Sequence, residues 1–208
     1  MINTDRLNEA DVRKIYDVLN TKIMNADVES DKKLYRTLHL LITAGLNLGI
    51  STTELRKLTW NFFFNDSGEW NDGYTIHNNM ATIKLRFNDV LIDEVNEFVT
   101  NYPINNYTDP IFMDGENIIS SQRTWFLMNY STKEAGIDKP FGLHAMRKYW
   151  AYQCWKNANN RYNALEILRR VFNHLRLQIT IEYIGLTDEE IESMNIPKNK
   201  AGYGLEMK

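Results

Sequence analysis

Apolar residues recur with helical spacing along most of the chain, and a short block of strand-like segments interrupts them once. Repeats at i, i+3, i+4 and i+7 indicate amphipathic helices. Turn residues from Asn65 to Gly68 open the strand-like block. Within it, the segments Tyr74 to Ile76, Ala81 to Leu85 and Phe87 to Leu91 are rich in β-branched and aromatic residues. The pattern therefore predicts a mainly α domain with one small antiparallel β-sheet.

Capping residues and glycines indicate where the helices begin and end. Asn3 and Thr4 are the candidate caps of the first helix, and Gly45 and Gly49 mark the end of the second. The segment from Ser51 to Glu54 has the pattern of a capping box, so a third helix is predicted from 52 to 60. The helices predicted after the strand-like block span 93–102, 121–135, 144–157, 164–172, 178–184 and 188–194, the last opened by a second capping box.

The length of 208 residues suits one large domain with short extensions. We predict an N-terminal helical extension at residues 1–30, a main domain at 31–195 and a C-terminal tail at 196–208.

Composition predicts a packed globular protein, since 43% of the residues are hydrophobic and 25% are charged. The single cysteine, Cys154, excludes an internal disulfide and suits a reducing compartment. Residues 1–25 lack the apolar core of a signal peptide, and the apolar run from Leu38 to Ile50 is too short to span a bilayer. We therefore expect a cytoplasmic protein without a membrane partner.

Charge is distributed unevenly along the chain. The formal net charge of −3 does not favour binding to nucleic acid, but residues 141–182 contain seven basic side chains and two acidic ones, a local balance of +5. Either this stretch is a solvated helix surface or it contacts phosphates. The candidate DNA contacts are Lys148, Arg169, Arg170 and Arg176.

Three short segments in the second half of the chain contain the candidate functional residues. The segment from Gly142 to Ala151 includes His144 and Arg147, which lie three positions apart and so share one face of a helix. The segment Phe172-Asn-His174 follows, and Tyr183 comes nine positions after its histidine. Each segment alone is weak evidence, because such pairs occur by chance in many helices and most tyrosines beside apolar helices pack in a core.

Together, the order and spacing of these segments resemble the second half of the active site of the tyrosine recombinase (phage integrase) family, in which H-x-L-R-[HK] precedes L-x-H and a tyrosine nine positions later. Short phage-type integrases are more similar still. Their patterns LRKTFGY, FNHSS and T-L-R-YIGIT-x-[DE]-E-I match Met146 to Tyr152, Phe172 to Arg176 and Thr180 to Ile191. Upstream, Leu48 to Trp60 is similar to the family's T-G-L-R-x-x-E-L-x-x-L-x-W. The resemblance covers roughly residues 30–195 and implies the tyrosine recombinase catalytic-domain fold.

The resemblance also implies a reaction. A tyrosine oxygen attacks a DNA phosphodiester, forms a 3′-phosphotyrosyl bond and releases a 5′ hydroxyl. Covalent catalysis conserves the phosphoester energy, so no nucleotide cofactor and no metal are implied. By position, Tyr183 matches the nucleophile, Arg147 the second of two arginines that bind the phosphate, and His144 and His174 the two histidines.

Two positions depart from the family pattern. Ser51 stands where the first arginine is expected, and Asn78 stands where a β-hairpin lysine would protonate the leaving oxygen. Arg56 is a poor substitute because it lies on the other side of Glu54, whereas a shifted hairpin would bring Lys84 into the site. Since one transition-state donor is worth roughly 10²–10³-fold in rate, losing both groups predicts very slow cleavage.

Three hypotheses follow from these motifs. The first is a DNA-binding protein of this family with lost or impaired strand exchange and a regulatory role in a phage, prophage or mobile element. The second is an active or partner-dependent integrase, and the third is a protein-interaction module, with which the acidic net charge is consistent. The expected partner is double-stranded DNA, bound by a homo-oligomer. An amphipathic segment from Thr187 to Met194 is expected to dock on a neighbouring subunit or on its own domain.

The way in which the predicted domain would enclose DNA also departs from the family. Full-length recombinases usually carry an N-terminal domain that closes a clamp around DNA, but only about 30 residues precede the matched region, room for one helix. The clamp is therefore either absent, as in short members of the family, or part of a longer protein.

Overall fold

The computed structural model of this chain describes residues 6–139 and 141–194, and it confirms a mainly α fold with small antiparallel sheets. The helices are α1 (Glu9–Met24), α2 (Glu29–Leu48), α3 (Thr52–Arg56), α4 (Asp89–Asn101), α5 (Ser121–Glu134), α6 (Leu143–Lys156), α7 (Arg161–Val171), α8 (Leu177–Ile184) and α9 (Asp188–Glu192). The strands are β1 (Tyr74–His77), β2 (Thr82–Leu85), β3 (Met113–Asp114) and β4 (Asn117–Ile118). The predicted tail, 196–208, lies outside the described residues.

Helix α1 begins later than the sequence pattern suggested. Asn8 is its cap: the Asn8 side chain accepts a hydrogen bond from the Asp11 backbone amide at 2.9 Å, and the Asp11 carboxylate accepts one from the Asn8 amide at 3.0 Å. This reciprocal pair satisfies two backbone donors at the helix start, so the helix begins at Glu9. The expected caps, Asn3 and Thr4, lie outside the described residues.

Two glycines of the α2 region allow α6 to pack closely against α2. The expectation that Gly45 ends the helix is wrong, because α2 continues through it. A Cβ at Gly45 would lie 2.7 Å from Met146 Cε and 2.8 Å from its Sδ, so glycine lets this side chain pack against α2 without shifting. Gly49 does end the helix, with a left-handed φ of 62°. A Cβ at Gly49 would lie 2.3 Å from the Trp150 ring.

The first hairpin has two strands, not three. β1 and β2 pair antiparallel, with Tyr74 opposite Leu85 and His77 opposite Thr82. The expected third strand, 87–91, is wrong because Asn88 caps α4 by accepting a hydrogen bond from the Leu91 amide at 3.0 Å. A second hairpin, β3 and β4, was not predicted, since two-residue strands carry no periodic signal.

The core has two clusters of buried apolar residues that meet at α6. The larger is built around α2, which is buried along most of its second half, and includes side chains from α1, α4 and α5. The smaller cluster joins α6, α7 and α8 through Trp150, Leu165, Ile181 and Ile184. Helix α6 therefore contributes to both clusters, through Met146 in the larger and Trp150 in the smaller.

The segment after α8 packs on its own domain. The predicted capping box is confirmed, since the Glu190 amide donates to Thr187 Oγ1 at 3.2 Å. The Glu190 carboxylate accepts a hydrogen bond from the Tyr152 hydroxyl at 2.8 Å, and the Trp155 indole donates to Met194 Sδ at 3.1 Å. Residues 187–194 therefore contact their own domain, and docking on a neighbouring subunit stays a prediction.

Across residues 6–139 and 141–194, no helix has both the length and the apolar character needed to cross a membrane.

Candidate active site

Arg147 lies on the first half of α6 and is held from two sides. Its Nε donates a hydrogen bond to the Gly49 carbonyl oxygen at 2.8 Å, and its guanidinium carbon lies 4.6 Å from the centroid of the Phe172 ring. The left-handed turn at Gly49 therefore fixes the guanidinium. Burial lowers the pKa of Arg147, while Tyr183 and Glu54 act in the opposite direction. A partly desolvated guanidinium binds an anion more strongly than one in bulk water.

Tyr183 lies on α8 with its ring 4.9 Å from Phe172 and 5.5 Å from His174, measured between centroids. Its hydroxyl is buried and makes no hydrogen bond of good geometry among the described residues, although it lies within reach of the Arg147 guanidinium. Burial raises the pKa of Tyr183, and the neighbouring Arg147 guanidinium opposes that shift. The phenol is therefore protonated near neutral pH and needs a proton acceptor before it can act as a nucleophile.

A turn after α7 positions His174. Asn173 adopts a left-handed φ of 58°, and Arg169 Nη1 donates to the His174 carbonyl at 3.2 Å. The ring Nδ1 lies 3.0 Å from Thr180 Oγ1. Burial and the charge of Arg147 both lower the pKa of His174, so the neutral ring, which can accept a proton, dominates at neutral pH.

The fourth predicted residue, His144, stands apart from this cluster. It is exposed in the first turn of α6 and lines a cavity of about 420 Å³ together with Trp125 and Lys148. Lys148 connects the two regions, since its Nζ lies 5.5 Å from the centroid of the Tyr183 ring. The structure thus groups Arg147, His174 and Tyr183 around Phe172 and places His144 at an adjoining cavity.

Arg147 also lines a cleft of about 570 Å³ between α3, the first hairpin and the end of α7. Both positions that depart from the family pattern, Ser51 and Asn78, line this same cleft. Two residues that sequence reasoning missed, Lys57 and His77, line it as well. The cleft therefore brings Arg147 together with both departing positions, whereas His174 and Tyr183 do not line it.

The Ser51 side chain is committed to building α3. Ser51 Oγ accepts a hydrogen bond from the Glu54 amide at 3.3 Å, and Glu54 Oε2 accepts one from the Ser51 amide at 3.1 Å. This confirms the predicted capping box. A hydroxyl in this role carries no positive charge with which to bind a phosphate.

Asn78 is equally committed to holding the hairpin against α7. Its amide nitrogen donates to the carbonyl oxygens of Arg170 at 2.6 Å and Val171 at 3.2 Å, and its Oδ1 accepts from the amides of Met80 and Ala81 at 2.9 and 3.1 Å. All of these bonds build the fold. The hairpin tip is therefore fixed beside the cleft without a lysine at this position.

Neither alternative cation lines the cleft. Arg56 turns away from it, since its Nη1 donates to the Ile119 carbonyl at 3.1 Å and its buried Nε has no partner among the described residues. Lys84 is exposed on β2 opposite Thr75. Thr75 contributes to the cleft wall, whereas Lys84 does not.

The basic stretch of 141–182 is less free than its composition suggested. Lys156 pairs with Glu9 at 3.1 Å, and Arg169 pairs with Glu166 at 2.9 Å. Arg170 and Arg176 are exposed, and Lys148 is half-buried beside Tyr183. The candidate DNA contacts thus divide into Arg169, which supports the His174 turn, and three side chains without an ion pair among the described residues: Lys148, Arg170 and Arg176.

The described part of the chain contains no group of three or more His, Cys, Asp or Glu side chains placed to hold a metal ion.

Comparison with known proteins identifies the fold. No protein-family model and no curated protein sequence matches the chain. Among solved structures, XerA recombinase aligns with a TM-score of 0.64 at 11% identity, over 91% of this chain and 61% of that one. XerH recombinase bound to palindromic difH substrate in a post-cleavage complex aligns with 0.59 at 17% identity, over 92% and 52%.

The integrase of transposon Tn1549, in complex with circular-intermediate DNA, aligns with a TM-score of 0.57 at 15% identity, over 90% of this chain and 63% of that one. The chain therefore spans between half and two thirds of the length of the structures it matches. At these identities the shared property is the architecture. The chain has the fold of the tyrosine recombinases.

Proposed function

We propose that this chain is a DNA-binding protein built on the tyrosine recombinase fold, that it holds a DNA phosphodiester beside Arg147 with little or no cleavage, and that it has a regulatory role in a phage or mobile element. The observation that carries the proposal is the commitment of two cleft side chains. Ser51 caps α3 and Asn78 anchors the hairpin, so neither supplies a charge to a phosphate.

The distribution of charge supports DNA as the ligand. Arg147, Lys148, Arg170 and Arg176 lie on the segments that form the candidate site, whereas a larger cavity of about 720 Å³ near the turn between α1 and α2 is lined by four carboxylates and one lysine. Phosphates favour the first region and are repelled by the second. Two of the similar structures, XerH and the Tn1549 integrase, are DNA complexes.

The electrostatics of the cluster support slow cleavage. A ground-state phosphodiester carries one negative charge, which Arg147 can bind, but the transition state carries more. Guanidinium forks stabilise that additional charge, and each is worth roughly 10²–10³-fold in rate. With the pKa of Tyr183 raised by burial, the nucleophile also has to lose its proton to a group such as His174.

A mobility-shift assay across a salt series tests DNA binding, with a nicked suicide substrate in parallel to trap covalent adducts. We expect salt-dependent binding without an adduct. Replacing Arg170 and Arg176 with alanine should reduce the slope of log affinity against log salt by about 0.9 per lost phosphate contact. Lys14→Ala, an exposed change on α1, is the matched control. An affinity that does not depend on salt concentration, or no binding at all, would support the protein-interaction module instead.

A second candidate, a partner-dependent integrase, is favoured by one observation. Arg147, His174 and Tyr183 still pack around Phe172 as a single cluster. Another subunit or protein would then supply the missing charges. Light scattering with and without DNA tests the proposed homo-oligomer, and an adduct formed only above the dimer-forming concentration would favour this candidate.

A further inference from the structure

We propose that Lys57 is the second cationic group of the phosphodiester site, acting with Arg147 on one phosphate. The inference rests on the proposed function and names a side chain that the family pattern does not. It follows from which charged groups line the 570 Å³ cleft and which of them are already committed to other contacts.

The backbone of Lys57 is fixed, but its side chain is free. Lys57 is the C-cap of α3, where its amide donates to the Glu54 carbonyl at 2.9 Å. The side chain is exposed and lines the cleft, and no ion pair to it occurs among the described residues. Its ammonium group is therefore available to an anion that enters the cleft.

The lining of the cleft has one acidic side chain against two cationic ones. Glu54 is the carboxylate in the cleft wall, and its Oε2 already accepts the hydrogen bond from the Ser51 amide. Arg147 and Lys57 each carry a positive charge and Glu54 carries a negative one, so the lining has a net positive charge even without His77. A monoanionic phosphodiester matches that charge, and the half-buried Arg147 provides the desolvated end of the site.

The chemistry of lysine explains why affinity and cleavage separate here. An ammonium is a hydrated point charge on a flexible stem, whereas a guanidinium is a rigid fork that matches two phosphate oxygens. Because Lys57 is exposed and its ammonium stays hydrated, its attraction increases only weakly as charge develops in the transition state. Such nearly uniform binding raises affinity with little effect on the rate of cleavage.

The first arm of the test measures DNA affinity by fluorescence anisotropy with a short duplex of random sequence. Lys57→Ala should weaken binding by about tenfold and lower the salt slope by about 0.9. Lys57→Arg should keep the wild-type slope because it keeps the charge. The matched control Lys14→Ala should change neither quantity. Wild-type affinity and slope in Lys57→Ala would overturn the proposal, while DNA binding by the wild type would leave the proposed function standing.

The second arm uses inorganic phosphate and does not depend on DNA recognition. Phosphate is titrated into the isotope-labelled 208-residue chain, and the NMR signals of the Lys57 ammonium and the Arg147 guanidinium are followed. In the wild type, saturable shifts of both signals are expected. In Lys57→Ala, the Arg147 shift should need about tenfold more phosphate, and this result supports the site even if no duplex binds. Shifts at Arg147 alone, or at neither residue, refute the role of Lys57.

Discussion

Replacing Ser51 with arginine tests whether a missing charge limits cleavage. The Ser51 hydroxyl caps α3 through one hydrogen bond of 3.3 Å, so its loss should cost about 1 kcal/mol. For a chain of this length, that lowers the melting temperature by about 2–4 °C. The new guanidinium would enter the cleft of about 570 Å³ beside Arg147 and should accelerate cleavage by about 10²-fold or more.

The control is Ser51→Ala, which loses the same cap but adds no charge. Both variants are assayed on a nicked suicide substrate for an adduct at Tyr183, and both are checked for folding by thermal melts. We expect Ser51→Arg to exceed Ser51→Ala in adduct rate at nearly equal DNA affinity, and Asn78→Lys to add to it. Equal adduct rates in two folded variants would refute the reasoning.

Three further predictions concern the scaffold of the site. Gly49→Ala should lower the free energy of unfolding in urea by about 2–4 kcal/mol, because it adds a steric clash to a left-handed φ. The control Gly115→Ala has a φ of 63° but no atom near the new Cβ, so it should lower it by only about 1–2 kcal/mol. Asn78→Ala should destabilise the protein by about 1–3 kcal/mol and speed amide exchange in the hairpin, whereas the exposed Asn79→Ala should do neither. Because the pKa of His174 is lowered in the folded protein, the unfolded chain takes up a proton first as pH falls through about 6.5. The free energy of unfolding should therefore fall over this pH range in the wild type and fall less in His174→Gln. Parallel pH profiles of the two proteins would contradict this.

Local patterns predicted the parts of the fold that depend on neighbours in sequence. The capping box at Ser51 and the proximity of His174 to Tyr183 belong to this class, whereas Arg147, on α6, was grouped with them by the resemblance to the tyrosine recombinases. The nine positions between His174 and Tyr183 span one turn and most of α8, so their proximity follows from helix geometry. The segment 87–91 was misread because five residues fit either period, and the Asn88 cap decided for helix.

Contacts between distant elements were not predictable from the same patterns. Lys57 and His77 line the cleft because α3 packs beside the hairpin, and no spacing along the chain encodes that packing. His144 and Arg147 share a helix face, yet they line different cavities, because the Gly49 carbonyl draws the guanidinium toward α2. The role of Asn78 likewise depends on carbonyls at the end of α7, more than ninety residues away.

The central claim is that the site retains affinity for DNA but lacks efficient cleavage. The most direct measurement is covalent trapping on a nicked suicide substrate by the unaltered protein alone, beside Tyr183→Phe, with DNA affinity measured on the same preparations. Similar affinities for both proteins and no adduct above the Tyr183→Phe background are the predicted result. Rapid adduct formation by the unaltered protein, abolished in Tyr183→Phe, would contradict the account and identify a working recombinase.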